Sequence, residues 1–251
     1  MIFNREQLGG RLATLAARGV HIGTSSWKYT GWCGSLYDTE LVTDQVELLQ
    51  EVVDDFWRRK FFIKPAPLLG YALANGFTTD YLMSFLQEML GNSKLKILPD
   101  FDLGKIHLFE EECLTLFFTV RKMWLDSHEE IRSLIQNDKG LSRAKDKYHL
   151  ELLPSLFEAM DRYARSNNPY DVFNSFRKLC SSGLLNGKKP TGAPLAHPFF
   201  NLCEDLLQRI DKRFLALRAE LLAFAAEKLP VRKRERNIRF FDDLLTCLFD
   251  A

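Results

Sequence analysis

The chain has 251 residues, 46% of them apolar and 12% aromatic, with 20 Phe among them. That is apolar surface enough for one large core or two modest ones, and it excludes a disordered chain. Lys and Arg number 34 against 33 Asp and Glu, a net charge of +1, so a nucleic-acid surface must be local rather than a property of the whole molecule.

Along the chain, residues 1–19 read as an amphipathic helix carried by Leu8, Leu12, Leu15 and Ala16, with Gly19 as its stop. Residues 20–23 are a short strand candidate running into a Gly-, Ser- and aromatic-rich loop. Thr43 or Asp44 can cap a helix with Val46, Leu49, Val53, Phe56 and Trp57 on its apolar face, and Pro65 and Pro67 break the pattern. Thr78, Thr79 and Asp80 cap a helix over 81–90. The spacing of Phe109, Cys113, Leu116, Val120, Met123 and Trp124 predicts one long helix over 105–136, with Glu110, Glu111 and Glu112 complementing the dipole at its start. A helix over 150–164 tolerates Pro154 in its first turn. A short helix follows over 170–180, then a loop over 181–198 broken by Gly183, Gly187, Pro190, Gly192, Pro194 and Pro198. From Phe199 apolar residues recur at helical spacing for more than twenty residues, and Pro230 should kink that helix. The fold class is therefore mostly α.

No apolar run approaches the roughly 18 to 20 residues of a membrane helix, and residues 1–10 carry Arg5 and Glu6 without an apolar signal core. A cytoplasmic protein with no membrane partner is expected. Cys33, Cys113, Cys180, Cys203 and Cys247 are an odd set with no close pair, which suits free thiols better than a disulfide framework or a metal knuckle. The histidines His21, His107, His128, His149 and His197 form no HExxH and no i, i+4 pair, and no Ser or Cys stands in a nucleophile elbow. Trp27, Tyr29 and Trp32 could line a ligand site, but read more simply as a loosely packed tail. No catalytic residue, metal site or cofactor is expected.

The strongest functional candidate is a basic block. Residues 209–239 carry ten basic against four acidic residues, a local charge of +6. Contact with phosphates is the natural use of such an imbalance; a solvated or docking helix face is the simpler one. On a helix, Arg232 and Arg236 align with Lys233 beside them, which makes these three the DNA-binding candidates. Arg234 points away and is the candidate for docking a partner.

Two resemblances meet in the chain. The run Ile22-Gly23-Thr24-Ser25-Ser26-Trp27-Lys28-Tyr29, with Gly31-Trp32, Gly34 and Tyr37, resembles the opening of an uncharacterised bacterial TIM-barrel family. It supplies one barrel strand, and nothing after residue 44 offers the βα units that a barrel needs. From about residue 39 onward the chain is similar to the beta (RecB) subunit family of bacterial exodeoxyribonuclease V, a helicase of the UvrD-like class. The matching residues are 39–45, Asp54-Asp55-Phe56-Trp57-Arg58-Arg59, His197-Pro198-Phe199-Phe200, Arg232-Lys233-Arg234-Glu235-Arg236-Asn237 and Phe241-Asp242-Asp243-Leu244-Leu245.

The second resemblance implies a multi-helix domain like the inserted helical subdomain 1B of such helicases over 39–251, preceded by a foreign segment over 1–38. It also implies an exit helix toward the first motor domain. The parent family is an ATP-dependent DNA motor and exodeoxyribonuclease of double-strand break repair. Its partners would be DNA, bound weakly and without sequence preference, and the other exodeoxyribonuclease V subunits. No G-x-x-x-x-G-K-[ST] phosphate loop occurs in this sequence, so a non-catalytic role is expected. The family's acidic Mg-binding motif would fall beyond Ala251. The alternatives are a rearranged product without function and, on the N-terminal likeness alone, a barrel enzyme.

Overall fold

The computed structural model describes residues 13–14, 17–19, 40–41, 45–62, 67–90, 101–190, 192–193 and 195–239. Of the helix expected over 1–19, residues 13, 14 and 17 are helical, and Gly19 takes a left-handed φ of 78°, as a helix stop requires. The strand candidate at 20–23 and the residues Trp27, Tyr29, Trp32, Asp242 and Asp243 lie outside the described residues. The chain divides into two compact units, one over 46–230 and one formed by 1–45 with 231–251.

The larger unit is helical, as the periodicity requires. Helix α1, Val46–Phe61, buries Leu48, Leu49, Val52, Val53 and Phe56 along one stripe. Val46 stands off that stripe and is exposed, and Trp57 is half-buried, so the buried face is rotated from the expected one. Helix α2, Leu69–Ala74, was not visible in the sequence. Gly76 then takes φ 73° in the turn to α3, Thr79–Leu90, whose first turn is capped by Thr78: its Oγ1 accepts the Tyr81 N–H at 3.2 Å. Helices α1 and α3 pack on each other.

Helix α4, Ile106–Asn137, matches the expected long helix except at Ser127, whose φ of −133° and ψ of 19° divide it in two. It packs on α5, Leu153–Arg165, which begins with Pro154 in its first turn. The expected helix over 170–180 shrinks to a 3-10 turn, Phe176–Leu179. The reason is local competition. Asn168 accepts the Tyr170 N–H on its side-chain oxygen and donates to Asp171, which satisfies the backbone outside a helix.

The expected loop over 181–198 instead holds α6, Ser181–Asn186. Gly183 permits it, because a Cβ there would overlap the Arg177 carbonyl oxygen. Helix α7, Pro198–Glu235, carries Pro230 inside it. Its start packs Phe199 against Trp124 at 5.4 Å between ring centroids; its middle sets Phe214 at 5.1 Å from Phe77 and Phe224 at 5.8 Å from Phe56. Two aromatic clusters thus share one helix.

In the smaller unit, β1 (Glu40–Leu41) pairs in parallel with β2 (Ile238–Arg239), in register Glu40 to Ile238 and Leu41 to Arg239. This two-residue pair is the sheet structure of the described residues, and the protein is mostly α. Among the described residues, no helix is long and apolar enough to cross a membrane.

Candidate nucleic-acid interface

The four sequence-predicted site residues lie at the end of α7, in the smaller unit. Arg232, Lys233 and Arg234 form its last turn, where cations suit the negative end of the helix dipole. Arg236 stands one residue beyond the helix, yet its N–H still donates to the Arg232 carbonyl at 3.0 Å. The Asn237 N–H closes on the Arg234 carbonyl at 3.1 Å, and Asn237 takes a left-handed φ of 53°. Asparagine tolerates that conformation because its short polar side chain bonds locally, so it ends the helix where Gly often would. Arg232 and Lys233 are half-buried, and Arg234 and Arg236 are exposed. Arg232, Lys233 and Arg234 thus lie on the helix and Arg236 in the turn that closes it.

The net +6 of residues 209–239 does not describe a free cationic track, because several of these cations are already engaged, two of them by acids of another helix. Arg209 Nη1 lies 2.7 Å from Glu112, and Arg213 Nη2 lies 3.1 Å from Glu110. Arg218 Nε donates to the Tyr81 hydroxyl at 2.7 Å, and Lys228 pairs with Glu227 at 2.8 Å. Glu110 and Glu112 sit beyond the first turn of α4, which starts at Ile106, so they hold α7 cations rather than complement the dipole. Sequence reasoning could not find these pairs, since Glu110 and Arg213 stand 103 residues apart.

Arg213 is a buried cation of the larger unit, at 5% side-chain exposure. Its Nη1 faces the carboxylate of Glu220 at 3.5 Å, and Glu220 also takes Lys60 of α1 at 2.9 Å. Lys60, Glu220, Arg213 and Glu110 thus form a chain of alternating charge that ties α1, α7 and α4 together.

His197 Nδ1 accepts the Phe199 N–H at 3.2 Å and so caps α7; His128 lies 3.1 Å from Glu129, and His149 3.7 Å from Glu151. Among the described residues, no three of His, Cys, Asp or Glu come together in a metal-binding group. Cys113, Cys180 and Cys203 are buried free thiols. Burial pushes Cys113 up to about 11 and Cys180 up to about 12, and raises Cys203 well above the ordinary range, so all three stay protonated and unreactive.

The fold and this site define a mostly helical chain with a cationic helix end. Its sequence is similar to RecBCD enzyme subunit RecB of Escherichia coli strain K12, 24% identical over 221 residues, covering 87% of this chain and 18% of that protein. It is similar in the same way to RecB of Haemophilus influenzae, at 23% identity over 89% of this chain and 21% of the relative. RecB of Buchnera aphidicola is 20% identical over 85% of this chain and 18% of its own length. The chain is thus related to a part of RecB and spans about a fifth of the length of these curated relatives. No family model matches it. None of these relatives supports the likeness of residues 1–38 to a TIM-barrel family.

Proposed function

We propose that this chain is a non-catalytic counterpart of part of the exodeoxyribonuclease V beta subunit, working in the cytoplasm by binding DNA or by docking on the other subunits of a RecBCD-type enzyme. The observation that carries the reading is the relation to RecB over 85 to 89% of the chain in three organisms, in a mostly helical fold. The cationic end of α7 supplies the contact surface. Arg232, Lys233 and Arg236 meet phosphates, and the exposed Arg234 docks the partner. Binding is weak and indifferent to base sequence, because phosphate contacts position a protein without reading bases.

The test is the salt dependence of duplex binding. Three phosphate contacts give a slope of log affinity against log salt of about −2 to −3, at roughly 0.9 per contact. Replacing Arg232, Lys233 and Arg236 together with Ala should flatten that slope and weaken binding at low salt. An unchanged slope in the triple variant removes the DNA reading and leaves docking. Loss of capture by purified RecC and RecD-type subunits in Arg234→Ala would then support the docking reading.

A further inference from the structure

Helix α4 carries two stripes side by side. Cys113, Phe117, Val120 and Trp124 recur at steps of four, three and four residues and are buried in the larger unit. One residue further at each step stand Leu114, Phe118, Arg121 and Leu125, a second stripe turned by about 100° around the helix. Leu114, Phe118 and Leu125 keep 38%, 51% and 53% of their surface exposed, and Leu108 at the flank keeps 40%. Singly scattered apolar residues on a surface are ordinary; three aligned on one helix face over about three turns are a candidate contact.

Continued backwards at the same steps, the stripe reads His107, Glu111, Leu114, Phe118, Arg121 and Leu125. Alternating steps of four and three are the period at which one helix meets another along a seam. The stripe ends before Ser127, where α4 divides. Its content is symmetric about residue 116: Leu114 and Phe118 flank that point equally, as do Glu111 and Arg121, and His107 and Leu125. Turned end over end on a two-fold axis there, a second copy of the helix sets Leu114 opposite Phe118, Glu111 opposite Arg121 and His107 opposite Leu125. Each pair then occurs twice, as an isologous contact requires. Among the described residues neither Glu111 nor Arg121 makes an ion pair, and Arg121 Nη1 reaches Asn167 Oδ1 at a long 3.4 Å. Leu108 and Lys122 also come near one another, so that the lysine stem covers the leucine while its ammonium stays in water. A foreign partner has no need of opposite charges placed equally about an apolar centre. A face that meets its own copy does.

We propose that this face of α4 pairs antiparallel with the same face of a second copy of the chain, with Leu114 and Phe118 at the centre of the dimer and a Glu111–Arg121 pair at either side. The contact uses none of the cations at 232–236 and goes beyond the reading above. From residue 107 to 125 the seam runs about 27 Å, less than the face of a stable dimer, so association is weak, with a dissociation constant of about 10 μM or more.

Sedimentation equilibrium of the full chain at rising concentration tests the contact. A monomer–dimer equilibrium is expected, and Phe118→Asp should weaken it by about tenfold or more. Glu111→Arg or Arg121→Glu alone sets like charges opposite each other twice per dimer and should weaken it by about tenfold, whereas the two together should restore it. Each variant is checked for an unchanged melting curve. Disulfide trapping reads the register, in chains whose Cys33 and Cys247 are replaced by Ser. A mixture of His107→Cys and Leu125→Cys chains should cross-link, while neither should alone, because the same residue in two antiparallel copies lies about 27 Å from itself. The triple variant at Arg232, Lys233 and Arg236, and Arg234→Ala, should dimerise as the parent does, which keeps this result apart from the DNA and subunit-docking readings. A parent that stays monomeric at every concentration leaves the face to another occupant and overturns the proposal. So does a dimer indifferent to Phe118→Asp, or cross-linking by either cysteine variant alone.

Discussion

Gly187 packs directly under the ring of Tyr148, and a Cβ there would overlap ring atoms. Tyr148 is buried and donates its hydroxyl to the Lys178 carbonyl at 2.9 Å, so it cannot swing aside. Gly187→Ala should therefore lower stability by about 1–3 kcal/mol, the usual cost of forcing extra volume into a packed interior, readable by urea unfolding. Beside it, Lys188 pairs with Asp138 at 2.7 Å, with the two side chains only 5% and 13% exposed. Burial pushes the Asp138 carboxyl up, but the hydrogen bond from Lys188 and those from the backbone of Gly140 and Leu141 outweigh it and hold the group below its ordinary value. A depressed carboxylate contributes stability that is fully present above its unfolded pKa and is lost as pH falls through the folded one. The acid limb of the stability curve should thus steepen below about pH 4, and Asp138→Asn should be less stable at neutral pH while losing that part of the acid dependence. A variant with the parent's acid limb would show that other carboxylates carry it. Neither contact was legible in the sequence, where Gly187 read as a loop breaker and Asp138 stands 50 residues from Lys188.

At the scale of elements, the charge chain across α1, α7 and α4 sets unequal costs for its members. Arg213 is buried and Glu110 is 52% exposed. Arg213→Met leaves Glu220 with Lys60 as its remaining cation, and removal of one partner of a buried pair costs about 3–5 kcal/mol. Glu110→Gln removes a solvent-screened charge and should cost less than about 1 kcal/mol. Equal losses in the two variants, measured by denaturant midpoints, would mean that the network carries no such gradient. This is also where the sequence's reach ends. The long helices at 46–61, 106–137 and 198–235 were legible because a 3.6-residue apolar period repeats over several turns. The turn-sized pieces were not. A side-chain bond from Asn168 undid one expected helix, and close packing at Gly183 allowed another where glycine had argued for a loop. The cations of the candidate site were legible as a run of residue types. The pairing of Arg209 and Arg213, earlier in the same basic stretch, was not, since Glu112 and Glu110 come from a helix far away in the sequence.

At the scale of the molecule, the division into 46–230 and a unit of both chain ends bears on what residues 1–38 contribute. The parallel pairing of the smaller unit runs from residues 40–41 to 238–239, and so begins after that segment. The larger unit's core is built wholly from residues between Leu48 and Leu229. Its buried aromatic clusters draw on Phe56, Phe77, Trp124 and Phe199, and their burial at roughly 25 cal/mol per Å2 of apolar surface is what a deletion would have to disturb to unfold it. Removing residues 1–38 leaves those contacts and the 40–41 pairing in place. The truncated chain should therefore fold, with its melting temperature lowered by only a few degrees and its helical circular dichroism per residue kept. Collapse of the transition, or a loss of helix much larger than the deleted fraction, would place the segment inside the helical core and end its reading as a foreign leader to a RecB-related domain.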